Sequence, residues 1–206
     1  MDQIIEHRPF SNVEELLFNE DISYSKLNKK SLDVLVRSGA CNSISDSRFK
    51  HCKHLWLSVA SDRPKNKKKL EENIEKYCSE SDFSEQEKIE NIVNLTGIFP
   101  FDLVLDSKVK ERLEYLKVPP LAQYDNDLRL CWFIPREIIP KKTRNGKTFW
   151  IINAIDETCQ TTNIKCWNVG PKERVHLNRP YVSKLEYDPQ WGFSTRSIKW
   201  NFKLVG

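Results

Sequence analysis

The stretch that decides the fold of the second half of the chain begins at Asp127-Leu-Arg-Leu-Cys-Trp-Phe-Ile-Pro135 and ends at Thr161-Thr-Asn-Ile-Lys-Cys-Trp167. Between these segments lie a basic one, Pro140-Lys-Lys-Thr-Arg-Asn-Gly-Lys147, and an apolar one, Thr148-Phe-Trp-Ile-Ile-Asn-Ala-Ile155. The three apolar segments are short and rich in β-branched and aromatic residues, which predicts β-strands. The basic segment predicts a solvated turn, and Asp156-Glu-Thr-Cys-Gln160 predicts a second break. Three consecutive strands joined in this way form a meander.

The meander brings cations and flat rings close together in sequence, because Trp132 lies in its first strand and further aromatic residues follow the basic turn. Single-stranded nucleic acids need both, since cations contact phosphates and rings stack on bases. A five-stranded OB-fold β-barrel starts with such a meander and binds oligonucleotides across its strands 2 and 3 and the loop between strands 1 and 2. The candidate cations are Lys141, Lys142, Arg144 and Lys147 of the basic turn, and the candidate rings are Trp132, Trp150 and Trp167.

The same pattern also suits a meander whose tryptophans are core and whose lysines form a solvated turn. It does not by itself separate nucleic acid from oligosaccharide or protein ligands. Beyond the meander, residues 172–177 predict a single helical turn, and the alternating segment Arg179 to Tyr187 predicts a fourth strand. Asp188-Pro-Gln-Trp-Gly192 is typical of a turn, and residues 193–205 supply the last strand or pair of strands.

Composition sets outer limits on the architecture. A chain of 206 residues has room for one large or two small domains, and two are expected. The net charge of +4 is too small to require a polyanionic partner. No apolar run approaches the length that spans a bilayer, and no apolar signal core is present, so a cytoplasmic location without membrane contact is expected. The six cysteines show no paired Cys-x-x-Cys spacing, which favours reduced, mostly buried thiols.

Amphipathic segments predict helices in the first half of the chain. The clearest runs to Gly39, with Asn28 as its N-cap and with Leu32, Leu35 and Val36 on one face. Other helical segments are residues 2–8, 10–18, 46–60, 70–77, 85–95 and 106–116. The helix after Asn28 has Lys26, Lys29 and Lys30 near its N-terminus, where the macrodipole disfavours cations. A phosphate bound at the free amides would explain them, and so would lysines that extend into water.

The motifs of common catalytic centres are absent from this sequence. There is no glycine-rich phosphate loop and no nucleophile with a neighbouring base, and Asp125-Asn-Asp127 is interpreted as a turn rather than a magnesium-binding pair. His51, Cys52 and His54 have a spacing that could hold a metal, but no second ligand pair accompanies them. We therefore predict no catalytic residue, no metal site and no cofactor.

Four segments, in this order, resemble the C-terminal half of C-family bacterial replicative DNA polymerases, the polymerase III alpha subunit. Leu27-Asn-Lys-Lys-Ser-Leu-Asp-Val-Leu-Val-Arg-Ser-Gly-Ala40 is similar to a segment of the family's helix-hairpin-helix region, and Arg8-Pro-Phe-Ser-Asn-Val-Glu-Glu-Leu16 is similar to the segment just before it. Glu87-Lys-Ile-Glu-Asn-Ile-Val-Asn-Leu-Thr-Gly97 is similar to the approach to its OB domain. Thr143-Arg-Asn-Gly-Lys147 through Asp156 is similar to a turn and strand end within that domain.

The resemblance implies an α+β protein with three parts: a small helical, helix-hairpin-helix-like DNA-binding region at residues 1–62, a charged linker with short helices at residues 63–120, and an OB domain at residues 121–206. It assigns Lys26, Lys29 and Lys30 to the duplex backbone, and Asn28 is grouped with them as a nucleic-acid-binding residue. It assigns Lys141, Lys142, Arg144 and Lys147, with Phe149 or Trp150, to single-stranded template; Trp167 joins them as a base-stacking ring.

The family's catalytic regions have no counterpart in this sequence. The chain is therefore expected to be a non-catalytic DNA-binding part of such a polymerase, active only beside a polypeptide that carries the catalytic core, as in a split phage polymerase. A sliding clamp is a further implied partner, although the clamp-binding motif is degenerate at Ser79 to Phe83. The alternatives are a stand-alone single-stranded-DNA-binding replication or recombination protein, and a protein-interaction module that docks onto a replication enzyme.

Overall fold

The chain divides into two units, residues 1–99 and residues 100–206. The computed structural model describes residues 2–23 and 25–205. Helices make up the first unit and a curled seven-stranded sheet dominates the second, so the α+β class is confirmed. Within the described ranges, no helix is both long enough and apolar enough to cross a membrane.

The observed division differs from the predicted boundaries after residues 62 and 120. Residues 63–99, predicted as part of a linker, contain two helices of the first unit, and Leu70 is buried in that unit's core. The helices of the first unit are α1 (Asp2–Glu6), α2 (Val13–Phe18), α3 (Lys29–Arg37), α4 (Cys52–Trp56), α5 (Lys67–Lys76) and α6 (Glu85–Thr96). Short 3-10 and π turns cover Asn42–Ile44 and Leu57–Ser61.

The cap residues predicted for α3 are confirmed. The Asn28 side chain accepts a hydrogen bond from the Ser31 amide, and Gly39 adopts a left-handed conformation with φ of 84° just beyond the helix. Leu32 and Val36 are buried in the core of the unit. The apolar stripe therefore fixes which face of α3 packs inward and leaves the lysines of its first turn on the outside.

The helix predicted over residues 46–60 begins only at Cys52. Asp46 accepts hydrogen bonds from the amide and side chain of Arg48, and His51 is the N-cap that accepts a bond from the His54 amide. Such side-chain bonds to nearby backbone compete with helix formation, which explains the late start. His54 is fully buried, and its two ring nitrogens bond to the Lys50 amide and the Ile74 carbonyl.

The second unit contains the helices α7 (Phe101–Val104), α8 (Ser107–Leu116) and α9 (Ile198–Asn201), with a 3-10 turn at Leu121–Gln123. Its strands are β1 (Leu130–Lys142), β2 (Thr148–Ile155), β3 (Thr162–Cys166), β4 (Tyr181–Lys184), β5 (Glu186–Asp188), β6 (Gly192–Thr195) and β7 (Phe202–Leu204). The predicted meander is confirmed as β1, β2 and β3, and β2 has the predicted bounds. The helical turn predicted over residues 172–177 was wrong, since those residues form no helix.

The sheet has the strand order β5-β6-β3-β2-β1-β4-β7. The first residues of the long strand β1 pair with β4, and its remainder pairs with β2 across a register shift between Pro135 and Glu137. All pairings are antiparallel except that of β3 with β6. The core of the unit lies under β1, β2 and β3 and includes Phe133, Ile152 and Ile164, each 0% exposed.

The sheet has seven strands instead of the five expected because the last two predicted strands are each divided. Leu185 separates β4 from β5, and α9 separates β6 from β7. The break at Leu185 arises where the extended segment leaves β1 and joins β6. Leu185 is fully buried, and its amide donates to the Arg129 carbonyl over 2.9 Å.

Candidate nucleic-acid interface

The basic hairpin at the end of β1 and β2 is shorter than the predicted turn. Pro140 to Lys142 belong to β1, and the turn comprises Thr143 to Lys147, closed by a 2.9 Å bond from the Thr143 amide to the Lys147 carbonyl. Proline fits at this end of β1 because only β2 pairs with it there. Gly146 adopts the left-handed conformation with φ of 74° that the tight turn requires.

The four cations of this hairpin are exposed and lack acidic partners. Lys141, Lys142, Arg144 and Lys147 are all on the surface. Among the described residues, none of them lies within ion-pair distance of a carboxylate. Their charge therefore faces solvent without neutralisation, which is the condition an anionic ligand needs.

Phe149 and Trp167 stack on each other beside these cations. Their ring centroids lie 4.7 Å apart with an interplanar angle of 28°. The strand register explains the contact, because Trp150 pairs with Cys166 and the next pair along the hairpin is Phe149 beside Trp167. Both rings are half-buried, and Lys141 is the direct partner of Phe149 on β1.

Trp150 lies on the opposite side of β2 from Phe149. It packs against the core residues of the second unit together with Ile138. Trp132 is 4% exposed and its amide donates to the Pro119 carbonyl. Trp150 therefore packs on the core side of the sheet, whereas Trp132 is buried on the other side of β1, near Leu113 of α8. Of the two aromatic candidates on β2, the outer surface carries Phe149.

Sequence reasoning missed two further residues of the outer surface, Lys165 and Trp191. The Lys165 ammonium donates to the Trp191 carbonyl over 2.9 Å and lies 5.2 Å from the centre of the Trp191 ring. Trp191 is 63% exposed. The period-two alternation of β3 was a usable signal for Lys165, since it places Lys165 and Trp167 on one face.

A polar row borders this surface on the side away from the hairpin. Glu137 pairs with Asn153 across β1 and β2, and Asn153 pairs with Asn163 across β2 and β3. The Asn153 amide donates to the Glu137 carboxylate over 2.6 Å. The acid repels phosphates, so the part of the surface suited to an anionic backbone lies nearer the hairpin. We call the exposed outer side of Lys141, Phe149, Ile151, Lys165 and Trp167, together with Trp191, the outer face.

The helical candidates have different surroundings. Asn28 is engaged as the N-cap of α3, and its side-chain amide also donates to the Ser25 carbonyl over 3.0 Å. The Lys29 ammonium donates to the Ser61 carbonyl over 2.7 Å. Lys26 and Lys30 are exposed. In the first unit, therefore, two of the four candidates have structural partners and two face solvent with their charges.

Two thiols and one carboxylate of the second unit have structural surroundings. Burial raises the pKa of Cys131 to about 12 and that of Cys166 to about 12, so neither is a thiolate near neutral pH. Asp125 accepts a bond from the Asp127 amide over 2.8 Å, as expected for a turn. Across residues 2–23 and 25–205, no three His, Cys, Asp or Glu side chains are grouped closely enough to hold a metal ion.

No protein-family model matches the chain, and no curated protein is significantly similar to it in sequence.

Proposed function

We propose that residues 100–206 form an OB-type barrel that binds single-stranded DNA across its outer face. The strand pairings support this assignment. β1, β2 and β3 form a meander, β3 pairs in parallel with β6, and β4 continues into β5 after one residue to join β1 to β6. With β4 and β5 counted as one strand, the pairings join β1, β2, β3, β6 and β4–β5 into a ring of five strands, and β7 pairs with β4 outside that ring. In this ring β2 and β3 form the face that OB domains use.

The observation that carries the proposal is the placement of unpaired cations beside a stacked ring pair on strands 2 and 3. The hairpin cations neutralise backbone phosphates and release counterions. The Phe149–Trp167 pair offers a flat surface to a base, and Trp191 offers a second ring near Lys165. Stacking on such rings tolerates any base, which suits binding without sequence preference.

We further propose that the chain is the non-catalytic DNA-binding part of a C-family replicative DNA polymerase. In this assignment the first unit is helix-hairpin-helix-like and contacts duplex DNA through Lys26 and Lys30. These two lysines are exposed, whereas the Lys29 ammonium is bonded to the Ser61 carbonyl. The catalytic groups belong to a partner polypeptide. The Lys29 ammonium uses one of its three N–H donors for the Ser61 carbonyl, and that bond restricts where the other two can reach a phosphate.

The salt dependence of single-strand binding tests the outer face. Replacing Lys141, Lys142 and Arg144 with Ala should weaken binding of a dT oligonucleotide and reduce the slope of log affinity against log salt by about 2, at about 0.7 for each phosphate that is no longer neutralised. The matched control replaces Lys108, Lys184 and Lys203, exposed cations of the same unit; Lys108 lies on α8, Lys184 pairs with Leu130 at the start of β1, and Lys203 lies on β7. An unchanged slope in the first variant, or equal reductions in both, would refute the assignment.

A stand-alone single-stranded-DNA-binding accessory protein is a second candidate. It is favoured by the fact that the second unit has its own core and contains the whole outer face. Replacing Lys26 and Lys30 with Ala separates the two candidates. The polymerase assignment expects weaker binding to a primer–template junction but unchanged binding to dT; the accessory assignment expects both to be unchanged. A wild-type chain that binds no DNA at low salt but co-purifies with a replication enzyme would instead indicate a protein-interaction module.

A further inference from the structure

A second aromatic site lies at the far end of β3 from the Phe149–Trp167 pair. Tyr124, Tyr187 and Phe193 form a cluster in which the ring centroid of Phe193 lies 5.0 Å from that of Tyr124 and 4.9 Å from that of Tyr187. The Tyr124 hydroxyl donates to the Leu185 carbonyl over 2.8 Å, which fixes its ring. Beside the cluster is a cleft of about 280 Å³ bordered by Asn126 and Gln160.

The groups around this cleft differ in whether they are already engaged. Asp156 is buried and accepts bonds from the Ala122 amide and from the amide and hydroxyl of Thr158. Asn126 and Gln160 are exposed, and in the part of the chain that the structure describes no residue bonds to their side-chain amides. Tyr187 is 45% exposed. The cleft thus combines an accessible ring with two free amides.

We propose that this cleft binds a nucleobase, adenine in preference to the other bases. An amide side chain presents one donor and one acceptor, the arrangement that pairs with N6 and N7 of adenine. A purine ring stacks on the open side of Tyr187. The lining combines the aromatic rings with polar side chains that include Thr158 and Thr162, and the cleft has room for one base.

The cleft is placed to act on the same strand as the outer face, and in this respect the inference rests on the proposed function. Thr162 borders the cleft and begins β3, whereas Trp167 follows its end. Five residues of strand span about 16 Å, the length of about five nucleotides at stacked spacing. Thr162 lies on the core side of β3 with Ile164, whereas Lys165 and Trp167 lie on the outer side, so a strand that reaches both sites passes over the end of β3 at Thr162. One such strand places one base in the cleft and another against the Phe149–Trp167 pair.

Oligonucleotides with one adenine in a run of thymine test the inference in the full chain. Fluorescence anisotropy should show an affinity about tenfold higher than that of all-dT when the adenine occupies one position, as a bidentate base contact would give. Replacing Asn126 and Gln160 with Ala should abolish this preference and leave affinity for all-dT within about twofold. Gln160→Glu should move the preference towards cytosine, whose N4 donates to a carboxylate.

The outcomes separate the cleft from the outer face. Equal affinities for adenine-containing and all-dT strands overturn the cleft inference and leave the proposed function intact. Failure to bind any oligonucleotide overturns the proposed function, and titration with adenosine monophosphate then decides the cleft. If the wild-type chain binds adenosine monophosphate and the double variant Asn126→Ala, Gln160→Ala does not, the inference holds for a nucleotide ligand. No binding of it, with no oligonucleotide bound, would overturn the inference.

Discussion

The helical unit and the strand unit distribute their charges in opposite ways. Residues 1–99 contain 15 Lys and Arg and 17 Asp and Glu, whereas residues 100–206 contain 18 and 12. In the first unit Arg48 binds both Asp46 and Glu14, and Lys67 also contacts Glu14. In the second unit the hairpin cations have no such partners among the described residues. Basic residues in the sequence thus either pair with acids of the same unit, as Arg48 and Lys67 do, or face solvent without an acidic partner, as the hairpin cations do. Only the second arrangement suits an anionic ligand.

The largest expected effect separates the two cores. Phe133→Ala and Leu55→Ala each remove a side chain with at most 1% exposure, at a cost of about 2–5 kcal/mol in the free energy of unfolding. Phe133→Ala should also abolish single-strand binding, because the outer face rests on the core that contains Phe133. Leu55→Ala should leave that affinity unchanged below its unfolding transition. Thermal unfolding and anisotropy measure the two quantities, and equal losses of affinity would show that the helical unit contributes to the site.

The next effect concerns a buried polar group in the helical unit. His54→Leu leaves the Lys50 amide and the Ile74 carbonyl without their side-chain partner, at a cost of about 1–3 kcal/mol for each group. Urea unfolding should show the destabilisation with an unchanged m-value. Cys52→Ala, a change at a half-buried position of the same helix, is the control and should cost less. A neutral His54→Leu would show that water replaces the missing bonds.

A smaller effect decides what Asn28 does. As the N-cap of α3 it should contribute about 1 kcal/mol, so Asn28→Ala lowers stability by that amount while Asn28→Asp retains it. Asn28→Ala should leave duplex affinity unchanged, and Asn28→Asp should change it only through the added negative charge. If Asn28→Ala instead weakened duplex binding at unchanged stability, the residue would bind DNA rather than cap the helix.

Acid should weaken the helical unit through its ion pairs. The hydrogen bond from Arg48 lowers the pKa of Asp46, and that from Lys76 lowers the pKa of Asp62. A carboxyl whose pKa is lowered in the folded state stabilises the fold at pH values above its ordinary pKa near 4. This stabilisation is lost as the pH falls through the folded-state pKa. Each exposed pair should account for about 1 kcal/mol or less. The urea midpoint should decrease as the pH is lowered from 6 to 2.5, and the decrease should be smaller for Asp46→Asn.

The elements that could be predicted from the sequence are those fixed by residues close to one another in the chain. The bounds of β2 and the caps of α3 could be predicted because side-chain alternation and an Asn-to-Gly spacing act within a few residues. The break at Leu185 could not, because it depends on which two strands the segment joins. The contact between Lys165 and Trp191 likewise joins residues that are distant in sequence. In the candidate site, the hairpin cations were predictable from composition, whereas the separation of Phe149 from Trp150 required knowing which side of β2 faces the core.

The smallest effect compares one lysine from each unit. Lys67 is exposed but paired with Glu14 over 2.7 Å, whereas Lys147 has no such partner among the described residues. Lys67→Ala should change stability by about 1 kcal/mol or less and leave DNA affinity and its salt slope unaltered. Lys147→Ala should leave stability unaltered and reduce the single-strand salt slope by about 0.7, because one phosphate is no longer neutralised. Since both variants remove the same charge, a slope change shared by the two would mean that net charge, and not the position of the hairpin cations, governs binding.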